Sequence, residues 1–236
     1  MSDQDLVVIL GAGPGLGRAV GTAFARDGAR VVLLARDEQR LRALADQTGA
    51  AGWVSVDARD ERALRAAFAA IRERYGDPTV LVHNPSIAYE APPTTTPLAE
   101  LEDGLRLAAG SLLVAVQEVA GAMRTARGGT ILVTGSGAAL TGSTWSASLA
   151  AQKAAVRNLT LSAADELGPD GIHVATITIN GLLGSPGFEP EQIAAEYVRL
   201  HQHARTLRNG TASVPQEDSR GTDGWSSEIN WPKKAT

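Results

Sequence analysis

Seven residues near the start of the chain, Gly11-Ala12-Gly13-Pro14-Gly15-Leu16-Gly17, constrain the fold more than any others. They follow a short apolar run, residues 6–10. They precede a small-residue stretch with helical character, residues 18–26, for which Gly28 is a natural stop. A strand that turns into a helix through several glycines has backbone freedom at the turn. The first N–H groups of such a helix lack intrahelical partners and sit at the positive end of its dipole, where a diphosphate can rest against them. Gly11, Gly15 and Gly17 fit this device, with Gly13 and Leu16 inside it. The spelling departs from Gly-x-Gly-x-x-Gly because position 16 is Leu. A plain tight turn is the alternative, and Pro14 lacks an N–H that a phosphate could use.

The rest of the chain repeats the strand–helix alternation. Strands are expected at residues 30–35, 53–56, 79–82, 130–134 and 172–179, with helices at 38–45, 61–75, 98–126 and 146–167. Continuous apolar strands separated by helices imply a parallel sheet covered on both faces, and right-handed crossovers make it doubly wound. The expected architecture is an α/β doubly wound parallel sheet of about seven strands in a single domain spanning 1–236. A loop and short helix at 182–205 would flank the substrate side. A polar tail, 206–236, is expected to be mobile over 206–224, and residues 225–231 could add a last strand. Ligands of such sheets bind beyond the carboxyl ends of the strands, where strand order reverses.

Composition excludes several functions. The chain contains no cysteine, which removes disulfides, thiolate metal sites and cysteine nucleophiles. A formal net charge of -4 gives no electrostatic case for nucleic acid. No apolar run approaches the ~18 residues that span a bilayer, and the acidic start is unlike a secretory signal, so a cytoplasmic protein is expected. His173, His201 and His203 lack the carboxylate or cysteine partners of a metal site, and none is expected. His83, ending the fourth strand, either touches cofactor or caps the strand.

The end of the second strand should meet the adenosine ribose, where an arginine can hold the 2′-phosphate of NADP. Arg36 lies there, whereas Asp37 is better placed to cap the next helix. NADP(H) is therefore favoured over NAD(H), which stays possible. Arg18, just inside the first helix, could add positive charge.

With these residues in place, the chain resembles the short-chain dehydrogenase/reductase family, most clearly over residues 5–181. The resemblance implies a Rossmann-type fold, a nicotinamide cofactor, a small-molecule substrate and a homodimer or homotetramer. It implies that Asp57 lies near the adenine, and that Asn84 in His83-Asn84-Pro85-Ser86 carries the motif after the fourth strand. Ser136 matches the active-site serine, Lys153 the lysine of the Tyr-x-x-x-Lys motif, and Gly181 the Pro-Gly after the sixth strand. Two positions depart from the pattern. Leu149 stands where the family has its tyrosine, and Ala108 where it has an active-site asparagine.

In the mechanism the resemblance implies, the tyrosine hydroxyl protonates the substrate oxygen as hydride moves, the lysine lowers that phenol's pKa and grips the ribose, and the serine holds the oxygen. Leucine cannot donate a proton, and general acid catalysis is worth roughly 10²–10⁴-fold. Three readings stay open: an oxidoreductase with a substitute donor or a substrate such as an imine, a dinucleotide-binding protein without turnover, and a non-redox enzyme using the same pocket. Tyr197, after the sixth strand, either packs in the core or folds over the site as a lid. The substrate wall is expected from loops 88–97 and 137–144 and from the segment after Gly181.

Overall fold

The computed structural model describes residues 4–208 and 227–232. The apolar runs become the central strands: β1 (Leu6–Leu10), β2 (Arg30–Ala35), β4 (Val80–His83), β5 (Gly129–Ser136) and β6 (Ile172–Ile179). The short β3 (Gly52–Ser55) and β7 (Glu228–Trp231) form the two edges. The order is β3-β2-β1-β4-β5-β6-β7, and every pairing is parallel. Strand order reverses between β1 and β4, and that reversal fixes where a ligand crevice opens.

Helices α1 (Leu16–Arg26), α2 (Glu38–Thr48), α3 (Glu61–Tyr75), α4 (Leu98–Leu105), α5 (Ser111–Ala126), α6 (Ala147–Leu167) and α7 (Pro190–Arg208) cover both faces. Side chains alternate along β1, so Leu6, Val8 and Leu10 join one core with Phe68 of α3, Leu112 of α5 and Val156 of α6. Val7 and Ile9 join the other with Phe24 of α1, Leu41 of α2 and Tyr197 of α7. Burying a side chain such as Phe24 contributes about 1.5–3 kcal/mol, and the two cores clamp the sheet from opposite faces.

Several boundaries differ from expectation for local reasons. Asp37 does cap α2, accepting from Arg40 N at 2.9 Å, and the helix runs on to Thr48 before Gly49 adopts a left-handed conformation. Strand β5 extends two residues past Thr134, because Gly135 and Ser136 still pair with Thr178 and Ile179 of β6. Helix α7 continues through Arg208, so the start of the expected polar tail is helical; the mobility expected for 206–224 otherwise falls outside the described residues. The stretch expected as one helix over 98–126 contains a π-turn at Arg106–Gly110. Ser111 Oγ donates to Leu107 O and lies 2.9 Å from His83 Nε2, pinning the turn to the end of β4.

Leu98–Ala126 corrects the expectation that no segment is apolar enough to span a bilayer: by length and composition it qualifies. Within the fold 44% of its most apolar window is buried. Side chains such as Leu112, Ala115 and Val119 join the core, which accounts for the buried part of that apolarity.

Candidate functional site

The glycine turn folds as its residues require. Gly11 has φ +82°, and a Cβ there would come within 2.7 Å of Pro85 N, so only glycine fits. Gly17 packs its Cα against the turn, where a Cβ would meet Ala12 Cα at 3.0 Å. At Gly13 and Gly15, by contrast, a Cβ would meet nothing within 4 Å, because both face an open cleft. Gly15 caps α1 without a side-chain hydrogen bond, and no acidic residue occupies the first turn. The positive end of α1 thus carries no side-chain cap and, although Arg18 N donates to Gly13 O, faces space, an arrangement that accommodates a diphosphate.

That space is a cleft of about 520 Å³ over the carboxyl ends of β1, β2, β4, β5 and β6. Gly11, Gly13, Gly15, Leu16, Gly17, Arg36, Asn84, Ser136, Lys153 and Gly181, all expected from the sequence, line it together. Asp57 does not line it. Val56 and Ala58 on either side do, while the exposed Asp57 carboxylate accepts from Arg59 N at 3.0 Å and faces a neighbouring hollow. That hollow, along α3 and α5, is larger, about 1140 Å³, and adjoins the cleft at Ala58, but neither Ser136 nor Lys153 lines it.

At the β2 end the cleft has a second guanidinium that sequence reasoning missed. Arg40, on the first turn of α2, lines it with Arg36; four-residue spacing from Arg36 was the available signal. Arg18 is instead engaged at the rim, donating to Glu191 at 2.7 Å and to Pro14 O at 3.1 Å.

Under the opposite end runs a chain of buried hydrogen bonds. Tyr197 is fully buried, and its hydroxyl shares a 2.7 Å bond with Thr134 Oγ1. Thr134 Oγ1 donates to Asn84 Oδ1 at 2.8 Å, and Asn84 Nδ2 donates to Gly11 O at 2.9 Å. Tyr197 is therefore a core residue below the cleft and not a lid over it. Burial raises its phenol pKa well above the ordinary range and keeps it neutral. Asn84 acts through this chain to fix the glycine turn relative to β5.

Lys153 enters from α6 and is buried, its Nζ donating to Thr134 O at 2.8 Å. Desolvation lowers its pKa to about 8. His83 is buried beside it, and desolvation followed by the Lys153 charge lowers its pKa to about 3, so its ring is neutral and serves the strand end. Ser136 Oγ caps a short turn, accepting from Ala138 N at 3.2 Å. Leu149, one helical turn before Lys153, lines the cleft at the place expected for a phenol. The π-turn surrounds Ala108, which is fully buried.

The mouth of this end is built from three segments. Ser146 Oγ donates to Tyr89 O at 2.7 Å, and Tyr89 OH to Asp103 Oδ2 at 2.7 Å, tying loop 84–97 to α6 and α4. The loop after β6 is held by β7: Asn180 N donates to Trp231 O at 2.9 Å, and Trp231 Nε1 to Gly187 O at 3.0 Å. His201, expected to lack a carboxylate, has one, since its Nε2 lies 3.1 Å from Asp5 Oδ2 at the far end of the sheet. Among the described residues no group of three or more His, Cys, Asp or Glu side chains could hold a metal.

Comparison with known proteins gives a consistent result. A family profile described as short chain dehydrogenase matches residues 5–187. Sorbitol dehydrogenase of Cereibacter sphaeroides is 32% identical over 215 residues, covering 90% of this chain and 84% of that protein. An inactive 2-(S)-hydroxypropyl-CoM dehydrogenase 2 of Xanthobacter autotrophicus is 36% identical over 160 residues, covering 66% of this chain and 68% of that one. A metagenomic short-chain oxidoreductase, solved in complex with NADP, is similar with a TM-score of 0.80 at 25% identity, covering 98% of both chains.

Proposed function

The chain belongs to the short-chain dehydrogenase family, and from that premise we propose that it is an NADP(H)-dependent oxidoreductase acting on a small carbonyl, alcohol or imine without a phenolic proton donor. One observation carries the reading: the bare glycine turn, two arginines, Ser136 and Lys153 all line a single cleft. The bound nicotinamide would supply or accept the hydride. The N–H groups at the start of α1 hold the diphosphate, with Gly13 and Gly15 leaving room for its approach. Arg36 and Arg40 take the 2′-phosphate through charge-assisted hydrogen bonds.

At the other end Lys153 holds the nicotinamide ribose, and Ser136 orients the substrate heteroatom. Leu149 donates nothing, so a proton needed on oxygen must come from Ser136, Lys153 or solvent. An imine substrate, already protonated in solution, does not have this requirement. The complex of the metagenomic relative with NADP supports the cofactor assignment. A homodimer or homotetramer in the cytoplasm belongs to the same proposal.

The test is titration of NADPH and NADH against the wild type, Arg36→Ala and Arg40→Ala. Each substitution should weaken NADPH by about tenfold or more, since hydrogen bonds to charged groups are worth about 1.5–3 kcal/mol, and leave NADH nearly unchanged. Tighter binding of NADH than of NADPH by the wild type would refute the cofactor preference.

A second reading has its own support. Leu149, together with similarity to a relative described as inactive, favours an NADP(H)-binding protein without turnover. NADPH binding with no oxidation across a carbonyl and imine panel would select it.

A further inference from the structure

The described residues include six large apolar side chains that are strongly exposed, and four of them lie on two loops whose bases, Ser136 and Gly181, line the cleft, as does Leu183 itself. Leu140 (50% exposed) and Trp145 (55%) lie on the loop between β5 and α6, and Leu182 (78%) and Leu183 (43%) on the loop after β6. The two loops leave neighbouring strands, since Ser136 pairs with Ile179. They touch at their bases, where a Cβ on Gly137 would come within 2.6 Å of Asn180 Oδ1. An isolated exposed leucine is ordinary; a cluster bordering a cleft marks a surface that something apolar covers.

The inner wall continues this character. Leu149, Leu107, Pro85, Ile179 and Leu183 line the cleft beside Ser136 and Lys153. The polar groups there are largely committed to one another. Both amide atoms of Asn84 are engaged, Thr134 Oγ1 donates to Asn84, and Lys153 Nζ donates one N–H to Thr134 O, its other two being those that the proposed ribose contact uses. Ser136 Oγ accepts from Ala138 N, which leaves its O–H free to point at a ligand, and Ser86 adds one hydroxyl at the rim. A polyhydroxylated substrate would bury several hydroxyls against leucine with no partner, and each unsatisfied group costs about as much as the hydrogen bond it lost in water.

We propose that the substrate is a largely apolar molecule carrying a single polar function, which Ser136 receives while Leu149 and the rim formed by Leu140, Trp145, Leu182 and Leu183 enclose its hydrocarbon body. This rests on the function proposed above and names its substrate class. It also separates the chain from the relative named for sorbitol. Leu149 then has a positive role: it extends the apolar wall at the position where a phenol would have required a polar neighbour.

The experiment is calorimetric titration of the full chain, with and without saturating NADP+, using acetophenone as the apolar ketone and fructose as the polyhydroxy ketone. Acetophenone should bind at least tenfold more tightly than fructose. Trp145→Ser and Leu182→Ser, both at exposed positions, should each weaken acetophenone fivefold or more while leaving NADP+ affinity within twofold. Fructose binding as tightly as acetophenone, or acetophenone binding unaffected by both substitutions, overturns the inference. Discrimination between the two ketones without any NADP+ binding would support the apolar site and refute the cofactor reading. NADP+ binding without discrimination would do the reverse.

Discussion

Restoring the missing phenol by Leu149→Tyr tests whether the rest of the catalytic geometry is in place. Leu149 is only partly buried and faces the cleft, so a larger side chain has room without repacking the core. The introduced phenol would sit one helical turn before Lys153, and neighbours at that spacing have Cβ atoms about 5–6 Å apart. With its pKa at about 8, Lys153 is about nine-tenths protonated at pH 7. A cation about 5 Å away at an effective dielectric near 20 stabilises a phenolate by about 3 kcal/mol, which brings a phenol from about 10 to about 8. A donor of that strength beside Ser136 should return most of the roughly 10²–10⁴-fold of general acid catalysis, or about 3–5 kcal/mol of barrier at 1.36 kcal/mol per decade. The assay is NADPH oxidation with acetophenone, comparing the wild type, Leu149→Tyr and Leu149→Phe, the last controlling for shape. Leu149→Tyr should exceed both by about 100-fold. If it binds NADPH as tightly as the wild type yet turns over no faster than Leu149→Phe, then Ser136 and Lys153 are not arranged for carbonyl chemistry, and the catalytic reading falls.

Two further outcomes follow from the site. Gly11→Ala forces a side chain onto a φ of +82° and into Pro85, so it should lower stability by at least the roughly 1–3 kcal/mol of such strain. Gly13→Val, at an open position, should leave the urea midpoint nearly unchanged but weaken NADPH tenfold or more; equal effects of the two on stability would contradict the assigned roles. Lys153 releases its proton at about 8 in the fold against 10.5 as a free side chain. Between those values the unfolded chain holds more protons, so this residue makes stability rise with pH from about 8 toward 10.5, and below 8 its full penalty, roughly 3 kcal/mol, is present. Urea unfolding at pH 7 to 10 should show this rise in the wild type and lose its Lys153 component in Lys153→Met; parallel pH curves for the two would refute it.

The sheet was legible because strands buried on both faces must be apolar throughout, as in β1, β2 and β6, whose limits match the expected ones. The glycine turn was legible because its chemistry is local. What escaped depends on long-range or geometric facts. The π-turn at Arg106–Gly110 leaves no mark in a run of small and apolar residues. The carboxylate partner of His201 is Asp5, 196 residues away. Tyr197 could be read as core or lid because only the fold reveals that Thr134 and Asn84 lie beneath the cleft. Arg40 escaped because an arginine inside a helix reads as a surface charge until the fold sets the first turn of α2 beside the cleft. The apolar rim was invisible because exposure of Trp145 or Leu182 is a property of loops and not of spacing.

The bonds that join Trp231 to Asn180 and Gly187 bridge 51 and 44 residues of chain. Closing such spans carries an entropic cost that contacts within a helix do not bear. The outline of the substrate entrance is therefore set by a short edge strand remote in the chain from the glycine turn, so that a change in β7 can reshape recognition of the second ligand while the nucleotide end keeps its own ties.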